Sequence, residues 1–252
     1  MRTYGATVVG PSHLSDKIVC QDAHFQTIIE PDIAIIAVAD GLGSVAHSDI
    51  GAQRSTEFAV NYIQEHIDEI KNLSSHDEDS YTSFFTELIE KTRTHLTDSS
   101  QSNGYALAEM ACTLIIVIIN GNSISVLHIG DGAVVIRKED KFELLSEPEP
   151  SEYANEVYPI TLDGWKNHMR IAFSEGISAV AVFTDGCQGA LLSKANNIWS
   201  PYDSAFLTLF SWADEQLDGA KAKSEIESFL NTRLAEWNDD KTLVVTVMPP
   251  TQ

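Results

Sequence analysis

Ala34–Ser44, AIIAVADGLGS, decides how this chain is read. Ile35–Ala39 is an unbroken apolar run with β-branched weight, the pattern of a buried strand, and it stops abruptly at Asp40-Gly41. A carboxylate therefore stands at a strand end. VLHIGDG and AVAVFTDG repeat the grammar: Asp131 follows the run Val126–Gly130, and Asp185 follows Ala179–Thr184. One such ending is ordinarily a turn, because Asp bonds its own backbone and Gly accepts positive φ. Three of them, joined by QDA at Asp22 and DDKT at Asp239 near the two ends of the chain, point to a convergent metal site.

Asp22, Asp40, Asp131, Asp185 and Asp239 cannot converge as bare anions, since like carboxylates at close range disfavour joint ionisation. Cations are required. All-oxygen sites suit hard divalent ions such as Mg²⁺ or Mn²⁺, and the chain has no Cys/His cluster that would favour zinc. Gly41 would let the main chain approach an ion and offer its carbonyl. Two such ions bridged by one water would provide a nucleophile near neutral pH and neutralise a phosphoryl group.

Composition narrows the class. The 252 residues suffice for one ordinary domain, 1–252, with a substantial core; 43% are hydrophobic, and no apolar run is long enough to span a bilayer. MRTYGATVVG has one Arg and no apolar region before a cleavage site, so it does not read as a signal peptide, and a cytoplasmic protein is expected. Cys20, Cys112 and Cys187 are odd in number and widely spaced, which argues for reduced thiols. The net charge of −21 repels nucleic acid and anionic membranes.

Around the central strand the pattern alternates between strands and helices. Tyr4–Val9 and the second half of VCQDAHFQTII read as strands, with GPSHLSDK as a polar turn between them. Helical period begins at Ser48 or Asp49, either serving as N-cap, and carries Phe58, Ala59, Tyr62, Ile63 and Ile67 on one face. Lys71–Ser80 breaks it, a second helix covers Tyr81–Leu96, and Thr97–Gly104 reads as loop. Cys112–Ile119 and Ser123–Ile129 flank Asn120-Gly121-Asn122, a strong hairpin signal, and Ala133–Arg137 with Phe142–Leu145 form a second hairpin. Residues 147–167, with three prolines from Glu147 onward, form an irregular segment long enough to be a functional flap. Strands resume at Met169–Phe173 and Ile177–Phe183; Tyr202–Trp237 reads as two helices broken near Gly219, and Thr242–Met248 as a last strand. The order implies an α+β layered fold with mostly antiparallel sheets.

The pieces CQDA (Cys20–Ala23), ADGLGSVAHSDIGA (Ala39–Ala52), ACTL (Ala111–Leu114), HIGDG (His128–Gly132), FTDG (Phe183–Gly186) and DDKTLVV (Asp239–Val245) occur in one order across nearly the whole chain. At these residues the chain resembles the metal-dependent protein phosphatases of type 2C, in a divergent, mainly prokaryotic branch. The resemblance implies a four-layer α-β-β-α sandwich with two central sheets flanked by helix pairs. It also implies hydrolysis of phosphoserine and phosphothreonine by direct attack of a water bridging two Mn²⁺ or Mg²⁺ ions, on a phosphorylated Ser/Thr protein substrate. A cognate Ser/Thr kinase is a candidate second partner. By the same resemblance Asp22 and Asp40 contribute to the two-metal centre, Asp40 bridging both ions; Gly41 supplies a carbonyl, and Asp185 and Asp239 complete the set. Asp131, with Asp185, matches the place of a third, weaker ion, and Thr242 supports the Asp239 turn.

Three departures bear on activity. Lys17 stands where relatives carry a phosphate-contacting Arg, keeping the charge but losing the bidentate fork. Leu42 stands where some relatives have a proton-donating His, and Ser44 where a second Gly is common. The bland reading of Lys17 is a solvated turn lysine, of Asp131 a turn residue, and of His13, His24 and His47 capping or surface positions. An alternative function follows from the departures: a non-catalytic, phosphatase-like module that binds a phosphorylated partner. The aspartate-nucleophile phosphatases need Asp-x-Asp at a strand end, and Leu42 fills the second slot.

Overall fold

In the computed structural model, which describes residues 1–73, 77–149 and 157–249, the opening stretch becomes strand β3 (Ile33–Ala39), every residue of which is buried. It sits in a five-stranded antiparallel sheet of order β2-β3-β4-β5-β8, with β2 Ala23–Glu30, β4 Leu114–Asn120, β5 Ser123–Ile129 and β8 Arg170–Glu175. A second five-stranded sheet runs β1-β12-β9-β6-β7, from β1 Arg2–Val8, β12 Lys241–Val247, β9 Ile177–Phe183, β6 Ala133–Lys138 and β7 Lys141–Ser146. Both sheets are antiparallel throughout.

Three apolar layers explain why the central strands lack alternation. Ala34, Ile36, Val38 and Val117 of one sheet meet Val134, Val180, Val182 and Val244 of the other in the middle layer. The opposite face of the first sheet, through Ile35, Ala37, Leu114 and Ile116, packs on helices α2 (Ser48–Glu65) and α4 (Glu78–Asn103). The outer face of the second sheet packs on α6 (Asp203–Glu215) and α7 (Gly219–Thr232) through Phe206, Phe210, Ile226 and Leu230. A strand covered on both faces needs apolar residues at consecutive positions, not at every second one. The result is the four-layer α-β-β-α sandwich of an α+β fold.

Several local expectations change. GPSHLSDK contains a short helix, α1 (Pro11–Asp16), closed by Lys17 in the left-handed conformation at φ 58°. α2 begins at Ser48 behind His47, and neither Ser48 nor Asp49 serves as the cap. It ends at Glu65, and α3 (Ile67–Asn72) follows a break at His66. α4 runs on to Asn103 instead of stopping at Leu96, because the polar residues of its last turns face solvent while Leu96 and Ser100 stay buried. It stops at Gly104, at φ 76°, whose N–H bonds the Gln101 carbonyl while that of Tyr105 bonds the Ser100 carbonyl. A small hairpin of β10 (Leu192–Ala195) and β11 (Ile198–Pro201) follows the four-residue helix α5 (Gln188–Leu191).

The expected flap at 147–167 lies partly outside the described residues. Its second half is packed: Ile160 and Trp165 are buried, and Arg93 of α4 donates to the Ile160 and Leu162 carbonyls and to Asp163. Among the described residues no helix is long and apolar enough to cross a membrane.

Candidate metal centre

The strand ends deliver the aspartates. Asp40 follows β3, Asp131 follows β5 after Gly130, Asp185 follows β9 after Thr184, Asp22 precedes β2, and Asp239 lies two residues ahead of β12. Their charges act on one another. Asp40 is pushed well above the usual carboxylate range by burial and by the charges of Asp22, Asp185, Asp131 and Asp239, in that order. Burial does the same to Asp22, reinforced by Asp185 and Asp240 and opposed by hydrogen bonds from Thr184 and Thr242. Asp131 rises to about 7 through burial and then Asp185, and Asp185 rises through burial and then Asp239. The five predicted aspartates thus occupy one electrostatic neighbourhood.

Among the described residues no three Asp, Glu, His or Cys side chains close into a cage around one point. What the site offers instead is unsatisfied oxygen. Asp22 Oδ1, Asp131 Oδ1, Asp185 Oδ1 and the neighbouring Gln21 Oε1 are buried without a hydrogen-bond partner. A buried carboxylate oxygen without a donor is costly. A hard divalent cation is the partner that this donor set fits, and it would remove the mutual repulsion as well. The Gly41 N–H is held by the Gln21 carbonyl at 3.1 Å.

The glycines after these aspartates have a different cause from the one their sequence suggests. Gly41, Gly132 and Gly186 do not adopt positive φ. They are crowded by other backbone: an added Cβ would lie 2.8 Å from the Gln21 carbonyl oxygen at Gly41, 2.6 Å from that of Phe183 at Gly132, and 1.9 Å from that of Asp240 at Gly186. Asp-Gly here marks close approach of strand ends, the condition for bringing their carboxylates together.

A hydroxyl network holds Asp22. Thr184 Oγ1 donates to Asp22 Oδ2 at 2.7 Å and accepts the Thr242 N–H at 2.9 Å. Thr242 Oγ1 pairs with Thr7 Oγ1, which pairs in turn with His24 Nδ1, each at 2.7 Å. Thr242 therefore braces Thr184 and Asp22; its hydrogen bonds among the described residues run to these and to Thr7 and Cys187, not to the Asp239 turn that the resemblance implied. Thr113 braces Asp40 from the next strand, its Oγ1 accepting the Asp40 N–H and its own N–H donating to the Asp40 carbonyl.

Lys17 closes α1 and is exposed, and its charge is not among the largest influences on the four shifted aspartates. Leu42 is half-buried with its N–H on the Ala111 carbonyl, and Ser44 is exposed. His13, expected at a capping or surface position, is instead largely buried against Asp240 at 2.9 Å. His24 is held neutral, pushed down to about 4 by burial and then by Lys223. His47 stacks on Tyr105 with ring centroids 3.6 Å apart. The cysteines are free thiols, Cys112 and Cys187 fully buried.

Two neighbours of Asp239 were not singled out by the sequence reading. Asp240 is 2% exposed and accepts three hydrogen bonds. Lys241 is 1% exposed and donates to the Asp239 carbonyl at 2.7 Å, placing a buried ammonium beside the acidic strand ends. The DDKT run held the signal, since charged residues at the mouth of a buried strand need partners.

Two facing antiparallel sheets, helix pairs outside them and aspartates gathered from five strand ends define a phosphatase-type sandwich. The family model described as protein phosphatase 2C matches residues 9–237. The chain is 29% identical over 251 residues to serine/threonine-protein phosphatase 3 of Escherichia coli K12, covering 95% of each protein. Among solved structures, a bacterial serine phosphatase superposes with a TM-score of 0.69 at 12% identity, over 100% of this chain and 99% of that one. PppA of Pseudomonas aeruginosa, described as a key regulatory component of T6SS, superposes with a TM-score of 0.64 at 16% identity, over 98% and 97%. This chain belongs to the protein phosphatase 2C family.

Proposed function

We propose that the chain is a metal-dependent protein serine/threonine phosphatase. The observation that carries this reading is the set of buried, unpartnered oxygens on Asp22, Asp131 and Asp185, gathered with Asp40 at the strand ends of a phosphatase 2C fold. Asp22, Asp40, the Gly41 carbonyl, Asp185 and Asp239 would hold two Mn²⁺ or Mg²⁺ ions, and Asp131 with Asp185 a third. Bound there, the ions supply a water nucleophilic near neutral pH and neutralise charge on the phosphoryl group.

The chain's own part is to fix and charge this centre. Thr184 and Thr242 direct Asp22, Thr113 fixes the backbone at Asp40, and the crowded glycines hold the strand ends together. Lys17 is the side chain proposed to meet substrate phosphate, from the end of α1. With Leu42 in place of a histidine, protonation of the leaving serine or threonine oxygen falls to water. The whole of 1–252 is proposed as one catalytic domain acting in the cytoplasm on a substrate supplied by a Ser/Thr kinase, with 147–167 contributing to its selection. The test is phosphate release from phosphoserine, phosphothreonine and phosphotyrosine peptides with Mn²⁺, Mg²⁺ or chelator. Metal-dependent release from the first two is expected; binding of a phosphopeptide without hydrolysis under any metal would favour the non-catalytic reading.

A further inference from the structure

Asp240 has a geometry that a turn residue does not need. Its Oδ1 accepts the Gly10 N–H at 2.6 Å, and its Oδ2 accepts the Gln21 N–H at 2.6 Å and His13 Nδ1 at 2.9 Å. Gly10 and Gln21 are the two ends of the excursion that contains α1 and Lys17. One carboxylate therefore pins both ends, and His13 from inside the excursion bonds the same oxygen as Gln21. Ser12 adds to the seam, its N–H and hydroxyl both donating to the Asn238 carbonyl. Gly10 lies so close to the Asn238–Asp240 turn that an added Cβ would come within 2.3 Å of the Asp239 carbonyl carbon.

The same contacts lead to the candidate ligands. Gln21 immediately precedes Asp22, and its carbonyl accepts the Gly41 N–H. Asp239 immediately precedes Asp240. Asp240 thus connects three ligand-bearing segments, at Asp22, Gly41 and Asp239, with the segment that carries Lys17. Three donors converge on its two oxygens, a demand that only a carboxylate meets: an amide in its place would turn an N–H toward one of them. The imidazole must present Nδ1–H, because an ionised carboxylate only accepts.

We propose that Asp240, oriented by His13, is a positioning residue that locks the Gly10–Gln21 excursion onto the candidate metal centre, and that this clamp sets both cation affinity and affinity for substrate phosphate. The proposal rests on the phosphatase reading above. Its consequence is a specific pattern of loss. Removing the His13 donor leaves every proposed ligand in place but frees the excursion, so binding weakens while the chemistry of a fully loaded site persists.

The experiment compares wild type with His13→Ala and His13→Asn, the latter because an asparagine Nδ2–H can reach the position of imidazole Nδ1–H. Mn²⁺ binding is measured by calorimetry, p-nitrophenyl phosphate hydrolysis by steady-state kinetics, and protection of the Gly10 and Gln21 amides by hydrogen exchange. His13→Ala is expected to weaken Mn²⁺ binding and raise KM by about tenfold each, the range typical of residues that orient ligands. It is expected to change kcat by less than about threefold at saturation and to lose amide protection, with His13→Asn restoring all of these. Wild-type Mn²⁺ affinity and KM in His13→Ala would overturn the proposal, as would a loss confined to kcat or a failure of His13→Asn to restore binding. A wild-type protein with protected amides but neither Mn²⁺ binding nor turnover would overturn the phosphatase reading instead.

Discussion

Asp22 is held by a threonine network whose members make testable demands. Thr184 supplies both the donor to Asp22 Oδ2 and the acceptor for the Thr242 N–H, so Thr184→Val removes two bonds without changing volume much. A rise of about tenfold in half-saturating Mn²⁺ is expected, read from the metal dependence of p-nitrophenyl phosphate hydrolysis. The raised carboxylates also fix the sign of the pH dependence. Asp131 titrates near 7 in the fold against an ordinary 3.8, and Asp22, Asp40 and Asp185 shift the same way. Above its ordinary value each of these carboxylates holds more proton in the metal-free native chain than in the unfolded chain, so its contribution to stability falls as pH rises. His24, His95 and His128, shifted down by burial, act oppositely only below the ordinary histidine value of 6.5, so the aspartates set the sign above it. Melting temperature in chelator should therefore drop from pH 6.5 to pH 8, Asp131→Asn should lessen the drop, and Mn²⁺ should offset it at pH 8. A profile that rises with pH would contradict this account. Asp40, Asp131 and Asp185 were legible because each ends an apolar run, a conflict visible locally, and Asp22 and Asp239 through the QDA and DDKT pieces near the two ends of the chain. Asp240 was not, because its partners are a histidine and backbone N–H groups, the Gln21 amide lying 219 residues away in the chain.

At the scale of elements, two glycines separate conformational cost from collision. Gly104 closes α4 at φ 76° with open space around it, so Gly104→Ala should cost only the left-handed penalty of about 1 kcal/mol. A Cβ added at Gly186 would lie 1.9 Å from the Asp240 carbonyl oxygen, so Gly186→Ala must push two strand ends apart. It should cost roughly 1–3 kcal/mol and weaken Mn²⁺ binding as well. Thermal unfolding and a Mn²⁺ titration on both variants check the contrast; equal metal affinity in the two would count against the role given to close approach. The strands of the two large sheets and their two hairpins were readable from apolar runs and from Asn120-Gly121-Asn122, with Gly121 at φ 62° in the two-residue turn, whereas the β10–β11 hairpin was not. The extent of α4 was not. Its last turns bury only Leu96 and Ser100, so the polar remainder looks like loop until α4 is seen packed on the sheet. In the second half of the 147–167 segment the converse holds: Ile160 and Trp165 are scattered in sequence yet both enter the core.

For the whole molecule, an excess of acid and a site for anionic substrate have to be reconciled. The chain carries −21, so a phosphoprotein is repelled at long range, and under the proposed function attraction is local, from cations held by the aspartates and from Lys17. Raising ionic strength should therefore lower KM for a phosphopeptide, by screening that repulsion more than the contacts inside the site. The layered core supplies the rigidity such a centre needs. Ile36 and Val180 lie buried between the sheets, while Leu88 fixes α4 outside them; Leu88→Ala should cost about 2–5 kcal/mol in denaturant unfolding. The account stands or falls on the acidic centre being a cation site that hydrolyses phosphate esters. The most direct measurement is p-nitrophenyl phosphate turnover by wild type and Asp40→Asn, each with Mn²⁺ and with excess chelator. The account predicts turnover that requires metal and falls roughly 100-fold or more in Asp40→Asn. Turnover that survives chelator, or that Asp40→Asn retains, would contradict it.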